Sequence, residues 1–140
     1  MSFVLDNSVA MRWLLGGTAI ELAYASMVLE ALRTTSAVVP GLWYLEASNV
    51  IAKAENKRVV LEARSRHFIA TLYSLNILAD PDTTQHALGD TLNLARRYKL
   101  SSYDAAYLEL ALRSGLPIAT LDKDLEIAAA KAGVPKFEGA

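Results

Sequence analysis

Four of the fifteen acidic residues in this 140-residue chain stand where acids are expensive. Asp6 directly follows the apolar run Phe3-Val4-Leu5. Glu46 is the only charge between Leu42 and Ala52, and its helical neighbours three and four positions away are Leu42, Trp43, Asn49 and Val50. Asp104 lies in Leu100-Ser-Ser-Tyr-Asp-Ala-Ala-Tyr-Leu108, and Asp122 closes Ile118-Ala-Thr-Leu121. Burying an ionised carboxylate is costly unless a cation or a basic side chain compensates.

Each acid has an ordinary explanation. Asp6 and Asp122 suit helix N-caps. Ser101 and Asp104 have the spacing of a capping box. Glu46 need only be partly exposed near a helix end. The set says more than its members. Two acids end apolar strands and two lie on apolar helices, so in a parallel sheet all four meet at or near the carboxyl edge, where sites form. Converging carboxylates raise each other's pKa unless cations intervene. Oxygen ligands select hard dications, so Mg²⁺ or Mn²⁺ is the expected cofactor. Such ions suit phosphodiester hydrolysis, by acidifying a water and clamping the attacking and leaving oxygens. Ser8 and Thr120, two residues from Asp6 and Asp122, are accessory candidates with ordinary turn hydrogen bonds as their alternative. Asp124 is either a cap or an outer ligand. His67 and His86 are isolated and read as surface residues, and there is no cysteine for a thiolate site or a covalent route.

The elements that must position these groups are short. Phe3–Leu5, Ala37–Val39, Asn76–Ala79 and Pro117–Leu121 read as strands, with Pro135–Phe137 as a short fifth. Helical spacing covers Ile20–Leu32, Leu42–Glu55, Val59–Leu75, Thr83–Tyr98, Ser102–Arg113 and Lys123–Ala132. The helix at Leu42–Glu55 is apolar nearly all round and is expected to be largely buried. Short apolar strands alternating with helices predict an α/β fold with a parallel sheet covered on both faces.

Hydrophobic residues make up 53% of the chain and charged ones 21%, which excludes a disordered polyelectrolyte. The length fits one domain over residues 1–140. No apolar run approaches the roughly 20 residues needed to cross a bilayer, and the N-terminus lacks the basic-then-apolar order of a signal peptide. A reducing cytoplasm is the expected location. Net charge is −1, so a nucleic-acid partner requires a local basic patch. Lys53, Lys57, Arg58, Arg64 and Arg66 form one candidate, although on that stretch alone a solvated helix face is the favoured explanation. Phosphotransferases of the haloacid dehalogenase type need a second Asp where Ser8 stands. Response-regulator receivers would use Asp80, but also need paired acids after the first strand.

Four segments carry a resemblance: Phe-Val-Leu-Asp6-Asn-Ser8-Val-Ala, Val-Pro40-Gly-Leu-Trp-Tyr-Leu-Glu46-Ala-Ser-Asn49-Val, Leu-Ser-Ser-Tyr-Asp104-Ala-Ala-Tyr-Leu and Ile-Ala-Thr120-Leu-Asp122-Lys-Asp124-Leu. In this order they resemble the signature blocks of PIN-domain nucleases, especially VapC-type toxins of toxin–antitoxin pairs, over almost the whole chain. The resemblance implies a three-layer sandwich with a five-stranded parallel sheet between helices. It implies Asp6, Glu46, Asp104 and Asp122 as the catalytic metal ligands, with Ser8, Thr120 and Asp124 accessory. It implies Mg²⁺- or Mn²⁺-dependent endoribonuclease activity, RNA as substrate, a homodimer and a VapB-type antitoxin partner whose Arg enters the acidic pocket. Two alternatives stay open: a PIN nuclease with a housekeeping role in RNA processing, and a PIN-like module that binds without catalysis.

Overall fold

Three-residue apolar runs set the centre of the molecule. The computed structural model describes residues 2–139. Strands β1 (Phe3–Leu5), β2 (Ala37–Val39), β3 (Ile77–Ala79) and β4 (Ile118–Ala119) pair in parallel in the order β3-β2-β1-β4. Val4 pairs with Val38 on one side and Ile118 on the other. All three residues of β1 are fully buried, as expected of a central strand covered on both faces. Sequence order reverses direction at β1, so the topological switch point lies between β1 and β4.

Eight helices flank the sheet among the described residues: α1 (Asn7–Leu15), α2 (Ala19–Ala31), α3 (Trp43–Asn56), α4 (Glu62–Ser74), α5 (Thr83–His86), α6 (Leu92–Tyr98), α7 (Ser102–Ser114) and α8 (Lys123–Lys131). Helix α1 packs on α2, α3 and α4, while α7 packs on α5, α6 and α8 and against β1 and β4. Every residue of α7 from Ala105 to Ala111 is buried, which fixes Asp104 one residue before a rigid segment. No single helix is long and apolar enough to cross a membrane.

Several expectations are corrected. Pro135–Phe137 is not a fifth strand: it joins β4 through one bridge, Ile118 to Lys136, although the Phe137 ring stacks on Phe3 at 3.9 Å. Thr83–Tyr98 is not one helix. A π-helical turn at Ala87–Thr91 separates α5 from α6, with Gly89 at φ −109°, ψ −105°, because an interior glycine weakens a helix and admits a kink. Helix α3 is not buried all round; Trp43, Ala47, Ile51 and Ala54 form its inner stripe, while Leu45 is 75% exposed. Trp13 is half-buried, and its indole N–H donates to Ala25 O at 2.8 Å, tying α1 to α2.

Candidate active site

Strand register brings the first two acids together. Leu5 pairs with Ala119, so the next residues along, Asp6 and Thr120, stand side by side beyond the carboxyl edge. Thr120 Oγ1 donates to Asp6 Oδ2 at 2.7 Å, and Ser8 Oγ donates to the same oxygen at 2.6 Å. Both hydroxyls are held in turn by backbone: Ser8 Oγ accepts from Leu121 N at 2.9 Å, and Thr120 Oγ1 accepts from Asp122 N at 3.0 Å. The accessory candidates thus form a cradle that fixes the rotamer of Asp6. Asp6 makes no capping hydrogen bond to α1, so the N-cap explanation does not account for it.

Asp122 does cap its helix: Leu125 N donates to Oδ1 at 2.9 Å. That contact orients the carboxylate and engages one of its two oxygens. Asp104 lies in the first turn of α7, and its backbone N–H donates to Ser101 Oγ at 3.1 Å, as the capping spacing suggests. Glu46, half-buried on the first turn of α3, accepts from Tyr107 Oη at 2.5 Å on Oε1. Tyr107 is fully buried and lies three residues after Asp104 on the same helix, so α7 carries one site acid and steadies another.

The site's carboxyl groups act on one another. Burial pushes the Asp6 pKa up, hydrogen bonds from Ser8 and Thr120 oppose it, and the Asp122 charge raises it further. Burial likewise raises Glu46, with Tyr107 opposing and Asp6 and Asp104 adding. Asp104 is pushed up to about 6, first by burial and then by Asp122 and Asp6, with a smaller push from Asp124. Asp124 itself is exposed at the rim.

The contrast with the other buried acids is instructive. Asp80, at the end of β3, and Glu109, on α7, are both buried, and Arg113 bridges them. It reaches Asp80 Oδ2 at 2.5 Å and Glu109 Oε2 at 2.8 Å. The Asp80 pKa is accordingly lowered, although burial opposes the change. A phosphoacceptor role for Asp80 is therefore disfavoured. Among the described residues, none of Asp6, Glu46, Asp104 or Asp122 has a Lys or Arg within ion-pair distance. Among the described residues, no group of three or more Asp, Glu and His side chains is placed to hold one metal ion. The donors are all hard oxygens, and their uncompensated charge fits a divalent cation better than any protein group present.

His67 is exposed and His86 half-buried on α5, away from these acids in the chain. The basic stretch after α3 is partly committed elsewhere. Arg64 Nη2 donates to Leu14 O at 3.3 Å at the end of α1, and Arg66 pairs with Glu62 at 3.2 Å. Tyr107 and Arg113 had no assigned role in the sequence reading. The signal for Tyr107 was its i+3 spacing from Asp104 in an otherwise apolar helix. No comparable signal linked Arg113 to Asp80, 33 residues earlier.

A parallel α/β sheet with acids gathered at the carboxyl ends of β1 and β4 defines a class of cleft domain that handles metal ions or phosphates. The family model described as the PIN domain matches residues 3–131, and the chain belongs to the PIN-domain family. It is 38% identical over 81 residues to Exonuclease VapC9 of Pyrobaculum aerophilum. That alignment covers 57% of each chain, so the chain spans little more than half the length of this curated relative. Among solved structures, PAE2754 from Pyrobaculum aerophilum superposes with a TM-score of 0.63 at 25% identity, covering 91% of this chain and 87% of the other. A toxin–antitoxin complex from Klebsiella pneumoniae gives 0.54 at 23% identity, covering 87% and 88%, which is a likeness of fold.

Proposed function

We propose that this chain is a Mg²⁺- or Mn²⁺-dependent endoribonuclease and the toxin of a type II toxin–antitoxin pair. One observation carries the reading. The charges of Asp6, Asp104 and Asp122 raise the pKa of neighbouring site acids, and Asp6, Glu46, Asp104 and Asp122 have no basic partner among the described residues, while Arg113 neutralises the buried acids outside the site. A site that holds unpaired carboxylates at neutral pH is built to be completed by cations.

The four carboxylates would hold the ions, which supply an acidified water and charge stabilisation at the phosphate. Ser8 and Thr120 keep Asp6 in one orientation, both donating to Oδ2. Tyr107 does the same for Glu46 through Oε1. Asp122 is aimed by its cap on α8. Asp124 at the rim is an outer ligand or an orienting group for water. RNA is the proposed substrate, and a VapB-type antitoxin is the proposed inhibitor, its Arg occupying the place of a cation as a guanidinium does between carboxylates. A homodimer and a cytoplasmic setting belong to the same proposal.

The test is cleavage of a labelled single-stranded RNA. EDTA is expected to stop it, Mg²⁺ or Mn²⁺ to restore it, and Asp6→Asn to abolish it while the circular dichroism spectrum is kept. Chelator-resistant cleavage by pure protein, or full activity of Asp6→Asn, would end this reading. The exonuclease name of the Pyrobaculum relative favours a second reading, cleavage from an end. A circularised RNA separates the two: the endonuclease opens it, whereas an exonuclease leaves it intact.

A further inference from the structure

We infer that Arg97, Lys99 and Lys131 form the track along which a single-stranded phosphodiester backbone reaches the acidic site. The inference rests on the nuclease reading and adds the surface that binds the substrate. With a net charge of −1, the chain attracts no polyanion as a whole, so a binding surface has to be local. In the stretch singled out from the sequence, Arg64 and Arg66 are held by protein partners.

Among the described residues, Arg97, Lys99 and Lys131 are held by no such partner, and unlike the free Lys53 and Lys57 they line a cavity that Asp124 shares. All three are exposed, and none is ion-paired among the described residues. They come from the end of α6 and the end of α8, and they line one cavity of about 430 Å³ together with Tyr98, Ile127 and Asp124. Basic residues in the last turn of a helix also suit the helix dipole. That explains Arg97 and Lys131 separately. It does not explain why two helix ends converge on one cavity, or why Lys99, beyond the end of α6 in a left-handed conformation at φ 55°, joins them.

The cavity borders the site through Asp124. Asp124 lines it, and the Asp124 charge acts on Asp104. A strand lying over Arg97, Lys99 and Lys131 therefore brings its next phosphates to the carboxylates. The Arg97 guanidinium sits 5.6 Å from the Tyr98 ring centroid, so ring and cation offer a base a stacking surface beside the phosphate contacts. The shared chemistry is the phosphodiester backbone, whether of RNA or of DNA.

The experiment measures binding of a fluorescent 12-mer, as RNA and as DNA of the same sequence, in EDTA over a salt series. For Arg97→Gln with Lys131→Gln, Kd is expected to rise about tenfold near 0.1 M salt. The slope of log Kd against log salt should fall by about 1.4, since each single-strand phosphate contact contributes roughly 0.7. Lys53→Gln with Lys57→Gln should leave both unchanged. In a cleavage assay, the Arg97/Lys131 variant should raise KM more than it lowers kcat. An unchanged Kd, slope and KM in a protein that still cuts RNA would overturn the track and leave the nuclease reading standing. Neither binding nor cleavage by the wild-type chain would overturn both. A loss confined to RNA would overturn the phosphate assignment in favour of a 2′-hydroxyl contact.

Discussion

The Tyr107 hydroxyl donates to Glu46 Oε1 at 2.5 Å across 61 residues of sequence, joining the helix that carries Asp104 to the one that carries Glu46. Burial raises the phenol's pKa, and the Asp6 and Glu46 charges raise it further, so the hydroxyl keeps its proton and donates it to Glu46. One Glu46 oxygen is thereby fixed and the other remains for a ligand.

Tyr107→Phe removes that donor and almost no volume. Groups that orient a metal ligand typically contribute about 10- to 100-fold in affinity. Mn²⁺ affinity of the variant, read by electron paramagnetic resonance, is expected to fall by about tenfold, and cleavage should recover in part at high Mg²⁺. A lower melting temperature with unchanged Mn²⁺ affinity would mean that the bond is structural only.

The site's acids have a distinctive pH signature. Burial and the Asp122 and Asp6 charges push Asp104 up to about 6 from an ordinary 3.8, and Asp6 and Glu46 are also raised. A group with a raised folded pKa binds its proton more tightly folded than unfolded. Metal-free protein should therefore lose stability as pH rises from about 4 through about 6. Saturating Mg²⁺ should reverse the trend, and Asp104→Asn should flatten it. Thermal melts from pH 4 to 8 check this. A metal-free melting temperature that climbs across that window would contradict the shared-charge site.

Arg113 provides the opposite case. It holds Asp80, whose pKa is lowered, and Glu109. Arg113→Met would leave two buried carboxylates without their partner. The expected loss is about 3 kcal/mol, at the lower end for breaking a buried pair because the Arg113 side chain is itself 27% exposed. Urea unfolding at pH 7 measures it, and a loss below about 1 kcal/mol would show that solvent already screens the cluster.

Much of the site was legible because its acids violate ordinary patterning. Asp6 and Asp122 end apolar runs, and Glu46 interrupts one, so they stood out without any knowledge of contacts. Where local rules suffice they held: Ser101 accepts from Asp104 N, and Asp122 caps α8. They failed where a feature depends on neighbours. The fifth strand contracts to one bridge because Lys136 meets only Ile118, and the helix through residue 89 breaks at a glycine that helical periodicity passes over.

Residue type and spacing alone determined the parallel α/β class and singled out the four acids, since these depend on apolar periodicity and on the cost of charge in apolar segments. Tertiary structure decided which charges are compensated. Arg113 lies on Asp80 and away from the site, Tyr107 points at Glu46, and Arg97 and Lys131 meet beside Asp124. Coulombic and hydrogen-bond partners are set by distance in space, and no local pattern in the chain encodes a contact between residues that only folding brings together.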